Sequence, residues 1–140
     1  MVMESLDLTT APPRPPHAAL GGVIFLPRTI DKTRAGLPGG KLGLYKIGGF
    51  SETMFEMLGF DEAAFTKAVA AATGDDDVLT FVIGATTPEH IAAWNTWVSQ
   101  RRPGGGDRTI ALSVFPWLPD DQDVPLGLDA IAEDDQRTFA

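Results

Sequence analysis

The chain contains no cysteine. That removes disulfides, thiolate zinc sites, cysteine nucleophiles and iron–sulfur clusters together. It contains two histidines, His17 and His90, 73 positions apart and in no metal-ligand spacing, so no metal site is expected. No apolar run approaches the ~20 residues that a membrane span needs. The opening MVMESLDLTTAPPRPP carries acids early and has neither the basic start nor the apolar core of a secretion signal, so the chain reads as cytoplasmic, without a membrane role. GxSxG, Walker A, GxGxxG and HExxH are all absent. No cofactor is implied, and the sequence leans away from an enzyme. Basic residues are also few, 11 against 19 acids. A net charge of −8 without a basic stripe speaks against nucleic acid as a partner.

What is present fits one domain. At 140 residues the chain can bury roughly two-thirds of its unfolded surface without staples. A hydrophobic content of 44% is ordinary for a globule. The negative charge is concentrated at the end. Residues 120–140 hold seven acids and one arginine, so the body before them is nearly neutral.

The stretch LGGVIFLPRTIDKTRAGLPGG, residues 20–40, organises the rest. A helix started by Pro27, a residue suited to the first helical position, places Leu26, Ile30, Thr33 and Leu37 on one side. Arg28, Asp31, Lys32 and Ala35 fall on the other, and Gly36 to Gly40 end the helix. The charged face has two readings. It is a solvated face, whose pairs are worth only ~0.2–0.5 kcal/mol each, or a small anion site built on Arg28, Lys32 and Arg34. The second reading brings Asp31, Tyr45 and His90 in as neighbouring candidates. The sequence favours the solvated face, because charged helix faces are common and anion sites few.

Further helices follow from caps and periodicity. Ser51 caps a short helix to Leu58, and Asp61 caps one to about Thr73, with Phe60 and Phe65 set to staple its start. The run Asp75–Asp76–Asp77 reads as a cap on a buried helix from Val78 to Ile83, since calcium loops space their acids at alternate positions. Thr87, Pro88 and Glu89 open a helix through Trp94 and Trp97 to Arg102. RTIALSVFPWLP, residues 108–119, alternates like a strand. It reads either as a partner for 42–47 or as an apolar segment laid across the helices.

The resulting expectation is a mainly α protein. It is a single compact domain of five or six short helices with Gly/Pro-rich connections and at most one short hairpin-like pairing. A Pro-rich arm spans 1–19, the helical domain 20–119, and an acidic tail with room for a short docked helix 120–140. The expected core is Val23, Ile24, Leu26, Ile30, Phe55, Leu58, Phe65, Val69, Val82, Ile91, Trp94 and Trp97.

The ordered pieces LDLTTAPPRPP, GGVIFLPRTIDKTRAGLPG, FSETMFEMLGFDEAAF and TPEHIAAWNTW resemble the uncharacterised bacterial family catalogued as domain of unknown function 5069. The resemblance covers residues 6–102, and AIAEDDQRTF is similar to an acidic family terminus. Relatives tend to carry an acid before the tyrosine, where this chain has Leu44. The resemblance implies a small, mostly helical bacterial protein and no activity. Two functions stay open. One is a non-enzymatic interaction or regulatory protein, with a homo-oligomer or protein partner meeting the acidic tail. The other is a small-anion binder or enzyme using the charged face of the 27–36 helix.

Overall fold

The computed structural model describes residues 2–140. Among them it holds seven α-helices and one two-stranded antiparallel hairpin. The hairpin pairs β1 (Ala19–Leu20) with β2 (Val23–Ile24), placing Ala19 opposite Ile24 and Leu20 opposite Val23. Gly21 and Gly22 turn it at φ 57° and 79°. A two-residue turn that matches the strand twist needs positive φ at both positions, which glycine supplies without strain.

Seven helices follow: α1 (Leu26–Ala35), α2 (Phe50–Leu58), α3 (Glu62–Ala71), α4 (Asp75–Ala85), α5 (Pro88–Gln100), α6 (Arg108–Val114) and α7 (Gly127–Thr138). The expected five or six were too few, mainly because 108–114 is helical. The Asp107 side chain accepts from the Ile110 amide at 3.2 Å and caps it. Ala111, Phe115 and Leu118 then turn inward at helical spacing onto a small second core with Val124 and Ala130. The apparent alternation of 110–115 was a short helical stripe. The alternative of a strand at 108–119 paired with 42–47 is excluded, since neither segment forms a strand. The nearest ladder contact is a single parallel bridge from Asp7 to Lys41.

The main core lies where α1 meets α3, α4 and the hairpin, and α5 joins α2, α7 and β2 to it. Of the twelve expected core residues nine are buried, and the three exceptions are informative. Ile24, Ile91 and Trp97 are only half-buried against the core, whereas Phe25, Met54, Val78 and Val98 fill its centre. The Trp94 indole is fully buried and donates to the Ile24 carbonyl at 2.8 Å, tying α5 to the hairpin.

Local signals mostly act as read. Asp61 accepts from the Ala64 amide at 2.7 Å, and Phe60 stacks on Phe65 with centroids 5.8 Å apart. The acids Asp75 to Asp77, expected to cap a buried helix over 78–83, instead form the first turn of α4, whose N-cap Gly74 has no side-chain cap; Asp77 accepts from the Thr73 amide and hydroxyl, both at 2.7 Å. Ser51 does not cap α2, which starts one residue earlier after Gly49. Its buried hydroxyl instead meets the Thr29 hydroxyl at 2.9 Å, joining α2 to α1. Among the described residues, no helix is long and apolar enough to cross a membrane.

Candidate functional site

The solvated-face reading of α1 is overturned. Arg28, Asp31 and Lys32 are 2%, 5% and 9% exposed. An amphipathic helix can bury its charged side only if other parts of the chain bring partners to it. Two segments do so, and one side of the helix is left to a pocket.

The N-terminal arm covers the first side. The Asp31 carboxylate accepts the Arg14 amide at 2.7 Å and the Arg14 guanidinium at 3.0–3.2 Å. The same guanidinium reaches Asp75 at 2.6 Å. These bonds raise the Arg14 pKa, and the Arg14 bond holds the Asp75 carboxyl below its usual range. Arg34 donates to the Glu4 carbonyl at 2.6 and 3.0 Å. The arm thus packs along its own domain through α1.

Helix α7 covers the second side. Arg28 donates to Asp135 through Nη1 at 2.6 Å and Nη2 at 3.0 Å, a bidentate buried pair. The Tyr45 hydroxyl donates to the same carboxylate at 2.7 Å. Burial, followed by that bond to a carboxylate, pushes the Tyr45 phenol up. The Arg28 guanidinium also lies 5.5 Å from the Tyr45 ring centroid and 6.0 Å from that of Phe25. Its Nε has no hydrogen-bond partner.

Lys32 occupies the third side and is treated differently. Among the described residues its ammonium has no carboxylate within ion-pair distance, and its closest recorded partner is the Phe25 ring, 5.6 Å away. Burial pushes it down to about 8; the Arg28 charge acts in the same direction and Asp135 opposes. Lys32 lines a pocket of about 670 Å³ with Phe25, Arg28, Tyr45, Phe50 and Trp97. Lys46 and Arg101 add exposed cations to the lining, and Asp134 is its one acid. The N-terminus of α7 seals one wall. Its Gly127 amide donates to the Arg101 carbonyl at 2.7 Å, and a Cβ there would stand 2.5 Å from Phe50. Phe25, beneath Lys32, caps α1 in the left-handed region at φ 77°, an uncommon conformation for a bulky side chain.

The candidates therefore divide. Arg28, Lys32 and Tyr45 converge on one concave pocket. Asp31 and Arg34 line a second, of about 880 Å³, with Arg14 and Asp75. There the opposite charges already satisfy one another. His90 belongs to neither; it is exposed in the first turn of α5, where its amide donates to Thr87. Asp135 and Arg14 were not anticipated. Asp135 had a signal, since Leu128, Ile131 and Asp135 share one stripe of a docked helix. Arg14 had none, because its partners are 17 and 61 positions away. Among the described residues, no three His, Asp or Glu side chains cluster as a metal ion would require.

No curated protein matches the chain. The family described as Domain of unknown function (DUF5069) matches residues 10–137, past the 6–102 over which the resemblance was noted and through α7 with Asp135. The arm that holds Asp31, the helix that carries Arg28 and Lys32, and the helix that returns Asp135 to them all lie within that match, and the chain belongs to this family of unknown function.

Proposed function

We propose that the protein binds a small organic anion with an apolar body in the pocket beside Lys32. The observation that supports this is a buried ammonium with no counter-ion facing a pocket walled by Phe25, Phe50 and Trp97. A buried charge is expensive unless paired, and a bound carboxylate or phosphate supplies the missing pair. The aromatic rings take the apolar part of the ligand.

The test is a thermal-shift series on wild type and Lys32→Met with 3-phenylpropanoate, phenyl phosphate and neutral benzyl alcohol. At one hundred times its Kd a ligand stabilises the fold by about 2.7 kcal/mol. For a chain of this size that is a rise in Tm of roughly 5–10 °C. An anion should shift wild type and leave the variant unmoved. No shift with any anion, or equal shifts in both proteins, refutes the reading.

A second reading is a protein partner covering the mouth of the same pocket. Leu44 and Val114, both in its lining, are 88% and 60% exposed. Its earlier motive, a free acidic tail, is weaker, because residues 127–138 form a helix with Asp135 buried. Light scattering that finds a dimer lost on Leu44→Ser with Val114→Ser favours this reading. A monomer at all concentrations counts against a second copy as that partner.

A further inference from the structure

We propose that Lys32 is a nucleophile that forms an imine with a 2-oxo acid bearing an apolar side chain. This rests on the anion-site reading and names its substrate class. An amine attacks a carbonyl only when it is uncharged, uncommitted to other partners and reachable from a cavity. Lys32 has the second and third properties by geometry. It has no acid within ion-pair distance among the described residues, its one recorded contact is the Phe25 ring, and it lines the pocket. Its surroundings favour the first, since burial and the neighbouring Arg28 both disfavour the ammonium.

The same wall selects the substrate. Arg28 lies one helical turn before Lys32 on α1, so the two side chains share a face. Its two terminal nitrogens are held by Asp135, which fixes the guanidinium beside Lys32. A carbonyl carbon bonded directly to a carboxylate places the electrophile and the anion one bond apart. That short spacing suits two cationic side chains one turn apart. The rings of Phe25, Phe50 and Trp97 face the remainder of the molecule.

The step balances without an oxidant or reductant. The Lys32 Nζ lone pair forms a bond to the ketone carbon, and the carbonyl π pair moves to oxygen, which takes a proton. The resulting carbinolamine loses a proton from nitrogen and its hydroxyl, protonated, leaves as water. A C=N bond replaces C=O, and protons exchange with solvent at the mouth, where Leu44 and Lys46 are exposed.

The experiment incubates the full chain with phenylpyruvate and sodium cyanoborohydride at pH 8, then locates the reduced adduct by intact-mass and peptide mass spectrometry. The three other lysines, Lys41, Lys46 and Lys67, are exposed and serve as internal controls. An ordinary lysine with a pKa of about 10.4 is less than ~1% neutral at pH 8. Labelling of Lys32 should therefore exceed that of each control by at least about tenfold. It should fall away in Lys32→Arg, which keeps the cation and loses the nucleophile. In parallel, 3-phenylpropanoate, which has the carboxylate and ring but no ketone, reports anion binding by thermal shift. Stabilisation by 3-phenylpropanoate with no Lys32 adduct overturns the imine and leaves the anion site standing. An adduct spread evenly over the four lysines also overturns it. Neither adduct nor stabilisation overturns both proposals.

Discussion

Replacing Asp135 by Asn should be among the most damaging single changes in the chain. The carboxylate accepts two bonds from Arg28 and one from Tyr45, and both members of the ion pair are nearly inaccessible, at 3% and 9% of side-chain surface. Asparagine has almost the same shape but no charge, so the Arg28 guanidinium is left buried and uncompensated. Breaking a buried pair from one side costs about 3–5 kcal/mol. At roughly 3 °C per kcal/mol for a chain of this length, Tm should fall by roughly 10–15 °C. The companion variant, Arg28→Met with Asp135→Leu, removes both charges and refills the volume. It should recover most of the loss, because the penalty lies in the orphaned charge rather than in the missing attraction. Tyr45→Phe removes one bond to the carboxylate and should cost about 1.5–3 kcal/mol. Urea unfolding followed by tryptophan fluorescence measures all three. An Asp135→Asn variant within about 1 kcal/mol of wild type would refute the reasoning, as would a double variant less stable than the single.

Three further outcomes follow from neighbouring contacts. Between pH 8 and 10.5 the unfolded chain retains the Lys32 proton that the folded chain releases, so stability should rise with pH across that window by about 3 kcal/mol. Lys32→Met should lack this rise and be the more stable protein at pH 7; the difference between the two urea midpoints against pH isolates it from Tyr45. Asp75 has a lowered pKa because Arg14 donates to it, so its contribution is present above pH 3.8 and lost as pH falls through the lower folded value. Arg14→Met should be less stable at pH 7 and show a shallower acid loss in circular-dichroism titrations. Gly127→Ala places a methyl 2.5 Å from Phe50 and 3.1 Å from the Arg101 carbonyl, which should cost about 1–3 kcal/mol by overpacking and weaken anion binding by displacing a pocket wall.

The helices were legible where local chemistry decides them. Asp61 and Thr87 mark helix starts through contacts within four residues, and such contacts are written in the sequence, whereas the acids before Val78 lie inside the first turn of α4. The single short hairpin-like pairing is present, but its place at 19–24 was not legible although Gly21-Gly22 is its turn, because two-residue strands carry no alternation to detect. α6 was missed because its seven residues bury only Ala111, and a single inward position sets no period. The site was half legible. Arg28, Lys32 and Tyr45 were singled out by type and spacing, yet their burial was read with the wrong sign. Burial of α1 depends on Arg14 and Asp135, which arrive from 17 and 107 positions away. His90, a candidate only as a neighbour of the charged face of α1, lies apart from it because the first turn of α5 faces outward.

The four charged side chains of α1 separate structural from functional burial. Asp31, Arg34 and Arg28 each receive partners from the chain itself: Arg14, the Glu4 carbonyl, and Asp135 with Tyr45. Packing and hydrogen bonding account for them without a ligand. Lys32 is the exception on the same helix. Methionine would fill its place with similar volume and no desolvation cost, so stability alone does not explain an ammonium there. Phe25, on which Lys32 rests, holds φ 77°, a conformation that costs an L-residue about 1–2 kcal/mol. Two locally unfavourable choices thus border one pocket: an ammonium with no carboxylate within ion-pair distance among the described residues, and a bulky residue at positive φ. Proteins retain such local costs where a site requires them. It is this pair, more than the abundance of charge on α1, that favours the anion-site proposal beside Lys32.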